Sequence, residues 1–402
     1  MKTNKSVGLM IVFLLITVAM AVAFFPAVNH NVAEGMSSIT AIDLESLDGV
    51  TQTIFDSITY AKSIHILAML LLGFGFLMTF LRGHEFTSLT ATFLAVSISI
   101  PVYMLVKSFL PGEYEVMHIG GFLFAEFAAA SLLICMGAVL GRLQMNQYFV
   151  LGILFTIAYI FNEWLLLESG IFTGFLDTGG SVAIHAFGAY FGLGVIATTD
   201  KKFDGKPAPQ VNKISNEFCL LGSMVLWVFW PSFTSSVVSP ELGYSTVLNP
   251  ILALCGSTIA TFIFSRLIRG KVEIEDIANA ALAGGVAIGS TCSTANPGFA
   301  MVIGICAGVL STLGFAVIAP KVCKLIRGTD TCGVHNLHGM PGLLGGLFAI
   351  AVTGNVGVKL GAIVATVVVG LVLGRICGAI LGLFGTKEDT YGDEDDFILE
   401  EE

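Results

Sequence analysis

The sequence predicts an all-α membrane protein, and its composition and hydropathy support that prediction. Of the 402 residues, 55% are hydrophobic and only 12% are charged, whereas a soluble domain has about 25% charged residues with which to cover its surface. The mean hydropathy is +0.87, and apolar stretches of the roughly 20 residues that a helix needs to cross a bilayer recur along the chain. A lipid bilayer is therefore the expected environment, and nucleic acid is not an expected partner.

Twelve apolar segments are candidates for membrane-spanning helices. They are residues 8–25, 61–81, 87–109, 118–140, 146–167, 179–199, 216–238, 246–267, 274–290, 298–320, 334–353 and 357–384. The last eleven predict 11 transmembrane helices within residues 61–385. The first follows a short basic stretch and ends near Ala21-Val22-Ala23, which resembles a small-residue cleavage site. Residues 1–25 are thus predicted to be either a signal peptide or an extra N-terminal helix.

The distribution of lysine and arginine predicts the orientation of the bundle. With the N-terminus in the cytoplasm, 15 of the 19 basic residues fall on the inner side, and only Lys62, Lys107 and Lys359 fall on the outer side. Residues 26–60 then form an outer loop. The segment 386–402 forms an acidic cytoplasmic tail, and its composition predicts a disordered, solvated chain, with regulatory docking as the alternative. The same interpretation predicts a multi-pass protein of the plasma (inner) membrane.

A nine-residue pattern occurs twice and predicts where a pathway lies. Asp177–His185 and Asp330–His338 both read D-T-x-G-x4-H, and the predicted orientation makes the two segments enter the membrane from opposite sides. Inverted repeats place their functional site at the repeat interface near the middle of the membrane. Because eight helical residues rise about 12 Å, an Asp at the membrane edge carries its His into the core. Two halves are predicted, at about 61–200 and 214–355, followed by one last helix.

The residue types within the repeat allow more than one role. Histidine inside a span is costly and marks functional sites, so His185 and His338 are predicted to line a pathway. Asp177 and Asp330 either cap the free N–H groups at the helix starts or handle protons. His335 and His338 also form an HxxH pair, whose alternative interpretation is the metal site of a membrane hydrolase. The pair lacks the glutamate of an HExxH motif, so no metal, no cofactor and no enzyme activity is predicted.

Four long motifs carry a family resemblance. They are DTGGSVAIHAFGAYFGLG (177–194), FWPSF (229–233), NAALAGGVAIG (279–289) and DTCGVHNLHGMPGLLGG (330–346). They resemble the Rhesus (Rh) branch of the ammonium transporter superfamily. The resemblance implies 11 helices in two inverted, pseudo-symmetric halves, assembled as a homotrimer with one pore in each subunit. Because the only glycosylation sequon, at Asn4, lies on the predicted inner side or in a removed peptide, a microbial member is favoured.

The resemblance also implies a role for individual residues along one pathway. These are the pore histidines His185 and His338, the gate phenylalanines Phe127 and Phe233, the acidic helix-start residues Asp177 and Asp330, and Glu163 and Trp164 at the outer vestibule.

The transport mechanism that this resemblance implies is conduction of ammonia. Ammonium is expected to give up its proton near the outer vestibule, and ammonia or methylamine then passes the two histidines, with or without co-transfer of the proton. The sequence offers neither a ring of intramembrane carboxylates nor a carbonyl filter to replace the hydration shell of a cation. Two alternatives stay open: a carbon dioxide channel of the same fold, and an ammonium sensor that does not conduct.

Overall fold

The protein is described by a computed structural model. It covers residues 47–81, 83–110, 118–199, 213–385 and 391–399, together with seven isolated positions between residues 8 and 19. The predicted signal peptide or extra helix at residues 1–25 lies outside the described residues, apart from those isolated positions.

Ten helices in the described part of the chain are long and apolar enough to cross a membrane. They are α1 (Asp56–Phe80), α2 (Glu85–Phe109), α3 (Ile119–Val139), α4 (Met145–Glu168), α5 (Ser181–Thr199), α6 (Ser215–Thr234) and α7 (Pro240–Arg269), then, after a broken helix α8 (residues 274–291), α9 (Pro297–Ile326), α10 (His335–Thr353) and α11 (Val356–Phe384). The described ranges contain no β-strand, so the prediction of an all-α membrane protein is confirmed.

The broken helix α8 supplies the eleventh crossing of the described chain. It consists of two short helical pieces followed by a 3-10 turn, so neither piece is long enough to span a membrane alone. Its start lies beside the end of α7, because Arg269 Nε donates to Asp276 Oδ2 at 2.8 Å. Its end lies beside Asp177, whose carboxylate accepts from Ser290 Oγ. α8 therefore runs from one end of the bundle to the other.

Successive helices run in opposite directions, which gives the bundle two end faces. One face carries the loops at Gly83 and Gly141 and also binds the C-terminal segment, since Tyr391 N donates to Gly141 O at 2.9 Å and Asp393 N donates to Gly83 O at 2.7 Å. We name it the tail face. The opposite end, where Asp177 lies, is named the vestibule face.

The C-terminal segment corrects one sequence-based prediction. Residues 391–397 pack against the tail face and contain one helical turn, α12 (Asp393–Asp396), so the prediction of a disordered, solvated tail is wrong for these residues. Acidic composition does favour hydration. Here, however, the free N–H groups at two helix starts, 251 and 306 residues away in sequence, give the carboxylates specific partners.

The first helix begins earlier than hydropathy predicts. A continuous α-helix starts at Leu47 and leads into α1, so residues 47–60, which were predicted to belong to an outer loop, are helical. Hydropathy marks the residues that enter lipid and does not mark where helical hydrogen bonding begins, which explains the difference.

Small residues allow the helices to pack closely. A Cβ on Gly304 of α9 would collide with the backbone of Ala253 in α7, and a Cβ on Gly374 of α11 would collide with the backbone of Phe191 in α5. In lipid, such close approach provides the van der Waals contact that holds helices together. In α3 and in α5, 89% of the residues in the most apolar 18-residue stretch are buried, a larger share than in the other eight long spans, so these two helices form the centre of the bundle.

Candidate functional site, a paired-histidine pathway

The structure brings the two repeat histidines into contact at the centre of the bundle. Nδ1 of His185 lies 3.2 Å from Nδ1 of His338. The rings are nearly parallel, with centroids 5.3 Å apart and an interplanar angle of 10°. Only 3% of His185 and 4% of His338 is exposed. The geometry agrees with the meeting of two inverted repeats at their histidines, while the role of the pair in transport stays a prediction.

A carboxylate and a left-handed glycine start the helix that carries His185. Asp177 Oδ2 accepts from Val182 N at 2.9 Å and from Ala183 N at 2.7 Å, which satisfies N–H groups that have no partner within the helix. Gly180 adopts φ +68°, a conformation that glycine reaches without steric cost. The first turn is a π-helix that contains His185; π-turns are frequent at functional sites.

The second repeat starts its helix in the same way. Asp330 accepts from Val334 N and His335 N, both at 2.9 Å, and Gly333 adopts φ +66°. The first turn is again a π-helix, and it contains His338. The shared spacing of Asp, Gly and His therefore reflects one backbone arrangement that is used twice in opposite directions.

Burial changes the proton affinity of both helix-start carboxylates. It raises the pKa of Asp177, against the opposing effect of hydrogen bonds from Ala183, Ser290 and other donors. Burial likewise raises the pKa of Asp330 to about 6, although backbone N–H groups of its helix start act in the opposite direction. Both groups are therefore easier to protonate than a solvated aspartate. The hydrogen bonds show capping directly, and proton handling stays a prediction.

His335 takes no part in the histidine pair. Its ring lies against Tyr190, with centroids 5.7 Å apart, whereas His338 contacts the histidine of the other repeat. Across the described ranges, no group of three or more His, Cys, Asp or Glu side chains is arranged to hold a metal ion. The HxxH spacing is accounted for by the helix start in which both residues lie.

Two phenylalanine rings separate the histidine pair from the vestibule face. Phe127 of α3 and Phe233 of α6 have ring centroids 4.7 Å apart at an angle of 56°, and the Phe233 ring lies 6.2 Å from that of His185. Phe127 lines the cavity on the vestibule face, and Phe233 lines the small space beside His185. The two rings therefore lie between the cavity and the small space, while their role as a gate stays a prediction.

The vestibule face contains a cavity of about 350 Å³. Two acidic residues, Glu163 and Asp177, are among its lining residues. Glu163 Oε2 accepts from Tyr103 Oη at 2.7 Å and lies 3.3 Å from Lys107 Nζ. Acidic side chains in a cleft raise the local concentration of cations.

Trp164 is not brought to this cavity. Its side chain is 43% exposed, its ring lies 5.8 Å from that of Phe161, and it is not among the residues that line the cavity. One step along a helix turns the side chain by about 100°. Glu163 therefore faces the cavity while its sequence neighbour faces away.

Small apolar chambers lie on the two sides of the histidine pair. The chamber beside His185 measures about 10 Å³ and the chamber beside His338 about 20 Å³, close to the space of about 10–15 Å³ that one water molecule needs. Phe74 lines both chambers. The vestibule, the phenylalanine rings, the first chamber, the histidine pair and the second chamber thus follow one another through the bundle.

Sequence reasoning missed four side chains that complete this arrangement. Trp230 stacks on one histidine ring at 5.6 Å, and Phe74 stacks on the other at 6.2 Å. Tyr103 and Lys107 hold Glu163 in place. Trp230 belongs to the FWPSF motif, and its place in that motif could have indicated that it belongs to the site. The other three lie in helices where local sequence does not distinguish them from packing residues.

Comparison with known proteins identifies the family of the chain. The profile described as Ammonium Transporter Family matches residues 50–401. The chain belongs to the ammonium transporter family. The match includes all eleven described crossings, both repeat histidines and the C-terminal segment.

Several curated relatives of this family member are of Rh type. Ammonium transporter Rh type B-A of Xenopus laevis is 38% identical over 300 residues, which are 72% of this chain and 64% of that protein. Rh type B of Danio rerio is 34% identical over 354 residues, 86% of this chain and 76% of the relative. Rh type B of Homo sapiens is 38% identical over 296 residues, 71% of this chain and 64% of the relative. The match thus spans less than two thirds of the Xenopus and human proteins.

Solved structures share the fold of this transporter family member. The structure of Nitrosomonas europaea Rh50, described with the conduction mechanism of the Rhesus protein family of channels, matches with a TM-score of 0.83 and 45% identity, over 86% of this chain and 93% of that chain. Saccharomyces cerevisiae Mep2 matches with a TM-score of 0.71 and 17% identity, over 86% of this chain and 93% of that chain, which bears on the fold alone. The predicted fold is therefore confirmed as that of the Amt/Rh proteins.

Proposed function

We propose that the protein conducts ammonia, and also methylamine, with ammonium as the form that reaches the vestibule face. The observation that carries this proposal is the 3.2 Å contact between His185 Nδ1 and His338 Nδ1, which lies between the two chambers. A buried imidazole pair in an apolar passage offers hydrogen bonds to a small neutral amine but leaves a charge uncompensated. Membership of the ammonium transporter family supports the same class of substrate.

The histidine pair offers both partners that ammonia needs. A neutral imidazole has one N–H and one bare nitrogen, and the contact between the two Nδ1 atoms uses the N–H of one ring and the bare nitrogen of the other. The donating ring therefore keeps a bare Nε2, and the accepting ring keeps an Nε2–H. Nε2 of His185 is buried and has no protein partner. A passing ammonia molecule can donate to the bare Nε2 of one ring and accept from the Nε2–H of the other ring.

A cation is not expected to follow this route. A charged group at the centre of a bilayer costs about 3 kcal/mol or more, and cation channels offset that cost with rings of carbonyl or carboxylate oxygens. The chambers here are lined by hydrophobic side chains and the imidazole rings, with the single amide of Asn279 beside His338. We infer that ammonium loses its proton at the vestibule face and that ammonia regains one at the tail face.

Asp177 and Glu163 are proposed to receive the arriving cation. Both line the vestibule cavity, where negative charge attracts ammonium. Burial raises the pKa of Asp177, so its carboxylate takes up a proton more readily than a solvated aspartate does. Phe127 and Phe233 are proposed as the gate between the cation site and the neutral passage. Asp330 has the equivalent position at the other end.

The released proton has two routes, which define two modes of transport. Return of the proton to the vestibule solution makes transport electroneutral. Transfer along the hydrogen bond between His185 and His338 makes transport electrogenic. A current recorded together with the amine flux distinguishes the two modes.

We further propose a homotrimer in the plasma (inner) membrane with the tail face in the cytoplasm. Three basic residues lie at the end of α9 or just after it, next to the tail face: Lys321, Lys324 and Arg327. Lys107 and Lys359 lie at the vestibule ends of their helices. Lysine and arginine favour the cytoplasmic side. The mass of the purified complex in lipid tests the trimer.

Stopped-flow influx of ammonia into proteoliposomes tests the proposed function. His185→Ala or His338→Ala removes the bridged pair and is expected to lower ammonia permeability at least about tenfold, which corresponds to about 1.4 kcal/mol in the barrier. His335→Ala is the matched control, because it removes the same residue type from the same helix start while its ring lies against Tyr190. The control is expected to conduct like the wild type.

The same apparatus separates the alternatives. In one outcome, the protein accelerates carbon dioxide influx while ammonia influx equals that of empty liposomes. That result would identify carbon dioxide, and not ammonia, as the substrate. Ammonium binding without any flux would make the protein a sensor. Wild-type flux in both the His185 and the His338 variant would contradict the pathway assignment.

A further inference from the structure

We propose that Lys107 is a resident competitor of the arriving cation: its side-chain ammonium group occupies an amine-binding cage beside the vestibule and thereby sets the affinity for ammonium. The amine cage consists of Tyr103, Glu163 and Glu168. Its chemistry fits the –NH3+ end of a primary amine, and ammonium itself. The effect on affinity rests on the proposed function, whereas binding of an amine by the cage does not.

Lys107 enters the amine cage from α2. Its Nζ donates to Glu168 Oε1 at 2.7 Å, lies 3.3 Å from Glu163 Oε2, and lies 5.9 Å from the centroid of the Tyr103 ring. Carboxylate oxygens and the face of an aromatic ring are the partners that attract an alkylammonium group. The cage therefore surrounds the end of this side chain as a receptor surrounds a primary amine.

Burial distinguishes the amine cage from an ion pair on the surface. The side chains of Lys107 and Glu163 are only 3% and 4% exposed, and Tyr103 is buried as well. Exposed ion pairs contribute little because water screens both partners, whereas a buried charge needs a partner since leaving it unpaired is costly. Glu168, whose side chain is 34% exposed, is the member of the cage in contact with solvent.

One carboxylate belongs both to the amine cage and to the vestibule. Glu163 lines the vestibule cavity, while Lys107 is not among the residues that line it. The oxygen of Glu163 that faces Lys107 also accepts from Tyr103 Oη at 2.7 Å. An arriving ammonium ion therefore meets a carboxylate whose charge is already offset by a resident cation.

The formal charges of the cage separate two effects of removing the lysine. Lys107 carries one positive charge and the two glutamates carry one negative charge each, so the net charge is −1. Lys107→Met frees Glu163 and makes the net charge more negative. The double variant Lys107→Met/Glu168→Gln also frees Glu163 but keeps the net charge of the wild type. Comparison of the two variants therefore distinguishes the release of Glu163 from a change in total charge.

Lys359 offers a matched control at the same face. It is buried, and its Nζ donates to Thr353 Oγ1 at 2.6 Å and to Gly354 O at 2.5 Å. In the part of the chain that the structure describes, it forms no ion pair with a carboxylate. Replacement of Lys359 by Met or Ala therefore removes one positive charge from the vestibule face without freeing a glutamate.

Thermal unfolding of the full chain in the presence of methylammonium chloride tests the cage without reference to transport. Lys107→Ala leaves room for a free amine, so methylammonium is expected to raise its unfolding temperature at least about 1 °C more than that of the wild type, in which the cage is filled. Lys107→Ala/Glu168→Gln, which keeps the net charge of the wild type, is expected to retain part of this gain. Lys359→Ala is expected to respond like the wild type, and sodium chloride at equal ionic strength is expected to shift all four proteins equally.

Uptake of labelled methylammonium into proteoliposomes, measured against its concentration at fixed pH, tests the effect on affinity. Lys107→Met keeps an unbranched side chain without the charge, and its KM is expected to be at least about threefold lower than that of the wild type, because loss of a nearby positive charge strengthens the attraction of the cation. The double variant is expected to show the same fall, whereas Lys359→Met keeps the wild-type KM. A purely structural Lys107 would lower the maximal rate and leave KM unchanged.

The two measurements test the cage and its effect on affinity separately. Equal responses of the wild type and both Lys107→Ala variants to methylammonium, or the same gain with sodium chloride, would overturn the amine cage. A wild-type KM in both Lys107→Met variants would overturn the control of affinity. A wild-type protein without methylammonium uptake would overturn the proposed function, while the unfolding temperatures would still decide the cage.

Discussion

Asp177 and Asp330 begin helices of the same backbone arrangement, yet their surroundings differ. Asp177 lines a cavity of about 350 Å³ and also accepts from Ser290 Oγ at 2.5 Å. Asp330 accepts from backbone N–H groups of its own helix start, and the chamber on its side of the histidine pair measures about 20 Å³. The cavity on the side of Asp177 is thus larger and has two carboxylates in its lining, whereas Asp330 is not among the residues that line the small chamber.

This difference shows that the repeat determines where its Asp and His residues lie but not which side chains surround them. The spacing of Asp, Gly and His determines where His185 and His338 meet, and it does so equally from both sides. Outside the repeat, Glu163, which is held by Tyr103 and Lys107, adds a second carboxylate to the vestibule cavity. We infer that the symmetric part builds the pathway and that the asymmetric part selects where the cation is received.

The largest expected difference between the two ends is in transport. Asp177→Asn removes a carboxylate that both caps its helix and lines the vestibule, so uptake of labelled methylammonium into proteoliposomes is expected to fall at least about tenfold, in line with about 1.5–3 kcal/mol for a charge-assisted hydrogen bond. Asp330 does not line this cavity, so Asp330→Asn is expected to reduce uptake less. Equal losses in the two variants would contradict the functional asymmetry.

A smaller effect concerns stability as a function of pH. Burial raises the pKa of Asp330 in the folded protein to about 6, above its usual value of 3.8, so the folded state binds the proton more tightly than the unfolded state does. Relative to Asp330→Asn, the wild type is therefore expected to gain stability as the pH falls through about 6, and this gain levels off below the unfolded value. Thermal unfolding of both proteins across this range measures it. If the unfolding temperatures of the two proteins changed in parallel with pH, the raised pKa of Asp330 would be contradicted.

The histidine pair could be predicted from sequence because the information is local. A nine-residue pattern that occurs twice, together with the expected orientation, leads to the contact between His185 and His338. The pairing of Phe127 with Phe233 followed from family resemblance alone, since the contact of the two rings depends on how α3 and α6 are placed in the folded chain. Trp164 shows the limit of such transfer, because one residue step places it away from the cavity that Glu163 lines.

The C-terminal segment could not be predicted because its partners are distant in sequence. Composition describes how Asp393 and Asp396 interact with water, and it carries no information about the uncapped N–H groups of Thr87 and Met145. The same holds for the start of the first helix at Leu47, which depends on helical hydrogen bonds that hydropathy does not report. Where two distant segments complete each other, only the folded chain reveals the contact.

Potassium offers the most direct test of the central claim, because it resembles ammonium in size and charge but has no proton to release. Potassium and ammonia influx are measured in the same proteoliposomes, beside empty liposomes of the same lipid. A pathway that passes the neutral amine and excludes its ion predicts protein-dependent ammonia influx, with potassium influx equal to that of empty liposomes. Potassium influx that rises with the amount of protein would contradict this account.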